Sequence, residues 1–178
     1  MQALALTNVY HRLNIATRQV AGQWGYWAFT LIIAWEMVAG SMWDLLQIEF
    51  TRGVFDHLGY PHYLLLIIGV WKLPCALALL APRFQRLKEW AYAGAFFNYT
   101  GAAASHWLVG DGAGKWLGPA IFGAMTLASW ALRPTDRRLP HSTPTSGTQL
   151  RSWIVPIALT AAFLVLALLT LPKGAPSP

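Results

Sequence analysis

Residues 58–111, LGYPHYLLLIIGVWKLPCALALLAPRFQRLKEWAYAGAFFNYTGAAASHWLVGD, decide how the rest of the chain is read. Two apolar runs, each long enough for a bilayer crossing, are joined by a short basic turn. Each run carries groups that a bilayer rejects. Lys72 lies in the middle of the first. Asn98 lies in the middle of the second, with Ser105 and His106 near its end. A Lys at the centre of a spanning helix costs about 2.5–3.5 kcal/mol on insertion scales. Such a side chain faces a protein interior and needs a partner.

The composition agrees with a membrane protein. Of the 178 residues, 56% are apolar and 11% charged, against about 25% charged in soluble proteins. The mean hydropathy is positive. The net charge of +6 is no nucleic-acid signal, because the basic residues sit in turns between apolar runs. The partner that this pattern implies is the lipid bilayer. A single cysteine, Cys75, excludes an intrachain disulfide and a CxxC redox motif. The first twenty residues have no continuous apolar core and no A-x-A-like site, so no cleavable signal peptide is expected.

Taken in order, residues 1–23 place Leu6, Val9, Leu13, Ala16 and Val20 at helical spacing. They are expected to form an amphipathic helix on the cytoplasmic interface. A first span follows at 24–47, with Trp24, Tyr26 and Trp27 as an aromatic belt, Glu36 in its interior and Asp44 near its far end. Residues 48–61 read as a loop. Further spans are expected at 62–81, kinked at Pro74, and at 90–107 and 115–132. The fold class is therefore all-α, with an antiparallel four-helix transmembrane bundle over residues 24–133. A polar linker at 134–151, a fifth span at 152–171 and a tail at 172–178 complete the chain.

Arg12, Arg18, Arg83, Arg86, Lys88, Arg133, Arg137, Arg138 and Arg151 fall on one side of these spans, and only Arg52, Lys115 and Lys173 on the other. That bias puts the N-terminus in the cytoplasm of a cell-membrane protein. At about 1.5 Å per residue, Glu36 lies about 18 Å into its span, Lys72 about 15 Å and Asn98 about 12 Å. In a core about 30 Å thick all three are near the midplane. Glu36 and Lys72 are thus expected to pair, with Asn98 completing the network. A second group, Asp44, His106 and Asp111 with His57 and His62, lies toward the outer face. No HxH or HxxxH spacing is present, so no metal site is read from the sequence.

The pattern LGYP-x-Y, GVWK-L, AP-R-x-x-x-LKEWAYAG, TGAAASH and GD, then SWALRP after the fourth span, resembles the DoxX-like family of small membrane proteins. The resemblance covers residues 25–134. It implies a four-helix membrane bundle and carries over Lys72, His106 and Asp111. Its relatives include the membrane subunit of a thiosulfate:quinone oxidoreductase, companions of redox enzymes, and a distant receptor-assembly chaperone. Two readings follow. One is a redox-linked protein that binds a quinone between its helices, with Trp35, Trp43, Trp71 and Trp107 as walls and a redox protein or a second copy as partner. The other is a non-enzymatic chaperone or partner subunit whose polar network is structural.

Overall fold

The computed structural model describes residues 2–140 together with residues 158, 162 and 163, and side chains from Val20 onward. Apart from residues 158, 162 and 163, the expected fifth span lies outside the described residues, as do the tail and the linker beyond residue 140. Among the described residues the chain is all-helical, with five α-helices and no strand: α1 (Gln2–Leu45), α2 (Glu49–Leu58), α3 (Tyr63–Leu80), α4 (Gln85–Leu108) and α5 (Ala113–Leu132). A short 3-10 turn, Thr135–Arg137, follows α5.

α1 has 44 residues and is about 66 Å long at helical rise. It does not break near residue 23, so the amphipathic segment and the first apolar run are one helix. It stops where Gln47 takes a left-handed conformation at φ 47° and Ile48 N–H bonds back to Trp43 O. Residues 20–45 of α1 and 63–80 of α3 are long and apolar enough to cross a membrane.

α2 replaces the expected loop at 48–61. The sequence EFTRGVFDHL puts Phe50, Val54 and Leu58 on one helical stripe, which too few residues made visible as a period. Thr51 is buried and its hydroxyl donates to Trp43 O and Ile48 O, tying α2 to the end of α1. Gly59, at φ 75°, ends α2 in the left-handed conformation that glycine takes at no steric cost.

The four long helices are each packed against two others: α1 against α3 and α5, and α4 against α3 and α5. Neighbours run antiparallel. Asp44 of α1 meets Lys72 of α3, while Tyr26, toward the other end of α1, is joined through Arg137 to Leu79 at the end of α3. Thr30 of α1 meets Ser129 of α5, and Glu89 of α4 meets Arg133 just past α5. The core is built from Ile33 and Met37 of α1, Ala76 and Leu79 of α3, and Tyr92, Ala95 and Tyr99 of α4.

The end of this array near Tyr26 is closed by cations. Lys88 is fully buried, and its ammonium donates to the free carbonyls of Ala78 (2.7 Å) and Leu79 (2.8 Å) at the end of α3. This is the helix terminus at which a positive charge is favoured. Burial, with Arg137 and Arg133 close by, pushes the Lys88 ammonium down to about 8. Arg137 donates to Tyr26 Oη (3.1 Å) and lies over the Trp27 ring.

Candidate functional site

Three residues on one stripe of α1, spaced four apart, set the central polar group: Glu36, Gly40 and Asp44. Gly40 has no side chain, and the Lys72 side chain from α3 lies across it. A Cβ at Gly40 would fall 2.8 Å from Lys72 Nζ and 3.1 Å from Glu36 Oε1. The ammonium is therefore near both carboxylates, but it bonds to only one. Lys72 Nζ is 2.9 Å from Asp44 Oδ2, with both side chains mostly buried. Glu36 Oε2 accepts instead from the phenol of Tyr99 on α4. The expected Glu36–Lys72 ion pair is thus replaced by Asp44–Lys72. The cause is register. Gly69 of α3 packs on Leu45 and Asp44, so the first residues of α3 run on beyond the end of α1.

Asn98 does not complete that ion pair. It lines a cavity of about 340 Å³ between α3 and α4, together with Lys72, Cys75, Trp71, Trp90 and Gly94. The cavity is apolar apart from the Lys72 and Asn98 heads. A second groove of about 450 Å³ runs between α4 and α5, walled by Trp107 and Trp116. Trp71 and Trp107 thus line hollows, whereas Trp35 and Trp43 are exposed and line neither. Trp90 and Trp116 take those places.

The second polar group forms at the opposite end from Tyr26. Asp111, in the turn between α4 and α5, accepts from His106 Nδ1 at 2.7 Å, from His57 Nε2 at 2.9 Å and from Lys115 Nζ at 3.0 Å. The bond from His106 outweighs burial and, with those from Lys115 and His57, holds the Asp111 carboxyl well below the usual carboxylate range. Asp44 belongs to the other group. His62 bonds Asp56 at 2.7 Å, apart from Asp111. Tyr60 Oη donates to Ser105 Oγ at 2.8 Å, whose own proton goes to Gly101 O.

A model of the DoxX-like family matches residues 12–129. The chain belongs to the DoxX-like family. No curated protein and no solved structure gave a significant match. In this DoxX-like chain the motif residues Lys72, His106 and Asp111 fall into two separate polar groups, Lys72 with Asp44 and His106 with Asp111.

One residue of these groups carried no signal in the sequence: Tyr99 sits in an apolar run, where its ring reads as core. His57 is legible as a member of the outer group, but its bond to Asp111, 54 residues away, follows no spacing motif.

Proposed function

We propose that this DoxX-like protein is a multi-pass membrane protein that holds a quinone or a similar flat, lipophilic carbonyl compound in the α3–α4 cavity. One observation carries the reading: an apolar hollow of about 340 Å³ with an ammonium and a carboxamide as its only strongly polar heads. Ligand sites of small molecules are commonly about 300–1,000 Å³ and mostly apolar, with a few placed polar groups. Trp71 and Trp90 offer faces for a flat ring. Lys72 carries three N–H donors and spends one on Asp44, which leaves donors for a quinone oxygen. Asn98 offers its amide from the facing helix. Donors set against a carbonyl oxygen stabilise negative charge that develops there, which suits a redox partner protein.

In this reading the four long helices cross a cell membrane with the N-terminus in the cytoplasm, and residues 152–171 form a fifth crossing. Ser142→Cys should stay protected from an impermeant thiol reagent in intact cells. Labelling of that cysteine overturns the orientation.

The ligand test uses the purified full chain in detergent, titrated with a short-chain quinone and read by tryptophan fluorescence. Quenching should saturate. Gly94→Phe fills the cavity mouth, where a Cβ meets nothing within 4 Å, and should abolish saturation. Asn98→Leu should weaken it. Quenching that never saturates and is equal in all three proteins overturns the reading.

A second reading has its own support. Among the described residues, no buried polar side-chain atom lacks a hydrogen-bond partner. A chaperone or partner subunit, with a network that only fixes helix packing, needs nothing more than that.

A further inference from the structure

Two stretches far apart in sequence, one with His57 and one with His106 and Asp111, bring nitrogen and oxygen donors to one point. His57 comes from the last turn of α2, His106 from the last turn of α4, and Asp111 from the turn before α5. One ligand atom from each lies within 4.8 Å of the others. His57 Nε2 is 2.9 Å from both oxygens of Asp111, and His106 Nδ1 is 2.7 Å from one of them. A bare ring nitrogen and a carboxylate oxygen repel at such distances. Each contact therefore needs a positive centre between the two atoms, either a ring proton or a metal ion.

A cation is already drawn to these donors. The Lys115 ammonium lies 3.0 Å from Asp111 Oδ1 and 3.4 Å from His57 Nε2. Its side chain is 56% exposed, so it can swing into water. The His57 side chain is 44% exposed and also has room to turn, while His106 and Asp111 are held at 12% and 8%. Two donors are thus fixed and one is adjustable. The His57 and His106 rings lie nearly parallel, 29° apart, with both edges turned to the same carboxylate.

We propose that His57, His106 and Asp111 form a binding site for a divalent first-row transition ion, with Lys115 as the cation that occupies the metal-free form. Two imidazoles and one carboxylate suit Zn²⁺ or Fe²⁺ better than Mg²⁺ or Ca²⁺, which take oxygen donors. Three protein ligands leave coordination positions open for water or a small ligand. Bond lengths of about 2.0–2.2 Å to such an ion require the three donors to draw closer. Rotation of His57 and withdrawal of Lys115 supply that movement. The site would also clip α2 to the α4–α5 turn. It is separate from the α3–α4 cavity and stands or falls independently of the quinone reading.

The test uses the full chain in detergent, free of any histidine tag, stripped with EDTA and titrated with Zn²⁺ against a metallochromic chelator. One ion per chain is expected, with a rise in the unfolding temperature. Co²⁺ should give a visible ligand-field spectrum. His57→Ala removes an exposed ligand and should weaken binding by at least the ~10–100-fold that loss of an outer-shell partner causes. Lys115→Met, also at an exposed position, should tighten binding, because the competing ammonium is gone. Absence of stoichiometric Zn²⁺, or equal affinity in the native chain, His57→Ala and Lys115→Met, overturns the proposal and leaves a proton-bridged network.

Discussion

Lys72 of α3 is bonded to Asp44 and reaches it across Gly40, while Glu36, on the same stripe of α1, is bonded to Tyr99. Two carboxylates thus flank one ammonium but have different partners. Removing one member of a buried pair leaves an uncompensated charge and typically costs about 3–5 kcal/mol. Asp44→Asn and Lys72→Met should each cause a loss of this size, and the double variant should recover much of it. Glu36→Gln combined with Lys72→Met should show the weaker coupling. A double-mutant cycle on thermal unfolding in detergent compares the two. Equal coupling in both cycles would mean that the ammonium is shared.

Gly40 gives a sharper test of the same geometry. A helical Gly→Ala change ordinarily stabilises by roughly 0.5–1 kcal/mol. At Gly40 the new methyl would stand 2.8 Å from Lys72 Nζ, which is tethered to Asp44 and cannot retreat freely. Gly40→Ala should therefore destabilise. Gly101→Ala, where a Cβ meets nothing within 4 Å, should not. A Gly40→Ala protein that unfolds at the native temperature or above would show that the ammonium does not sit over Gly40.

The apolar runs were legible because their composition alone demands burial, and the family motifs stand within them. The partner of Lys72 was not. Counting 1.5 Å per residue assumes that neighbouring helices start level. Here α2, a helix hidden in an apparent loop, carries the chain past the end of α1 before α3 begins. The shift from Glu36 to Asp44 is eight residues, or about 12 Å. Lys88 was misleading in another way. A lysine in a basic turn reads as solvated, yet it is the buried cap of α3. The sequence puts His57 and Asp111 toward the same face, but only tertiary structure brings them to 2.9 Å.

A directed chain of hydroxyls joins three helices near Tyr26. Thr30 donates to Tyr26 O at 2.7 Å, so its proton is spent. Ser129 must then donate to Thr30, 2.7 Å away, and Tyr92 to Ser129, 2.9 Å away. Ser129→Ala breaks the relay in the middle and leaves the buried Tyr92 phenol without its acceptor. An unsatisfied buried group costs about 1–3 kcal/mol, and a fall in unfolding temperature should report it. Ser129→Ala with Tyr92→Phe should cost less than Ser129→Ala alone. If the double variant is the worse, the relay is not what holds α4 and α5 together here.

The last prediction concerns acid. Glu89, at the start of α4, accepts from Arg133 Nη1 at 2.7 Å and from Trp130 Nε1 at 2.8 Å. Burial alone would raise its carboxyl, but the bonds from Arg133 and Trp130 and the Arg133 charge prevail, so it lies below the ordinary 4.5. A carboxyl depressed in the folded state binds its proton more weakly there than in the unfolded chain. Its stabilising effect is complete above pH about 4.5 and fades as pH falls through the lower folded value. Glu89→Gln keeps an acceptor for Trp130 but loses the charge opposite the buried Arg133. The variant should unfold at a lower temperature than the native chain at pH 7. The gap should narrow as the pH drops below about 4.5, because the native carboxyl then becomes neutral as well. A gap that stays constant from pH 7 to pH 3 would mean that the Glu89 charge contributes nothing, and that packing around Arg133 carries the effect.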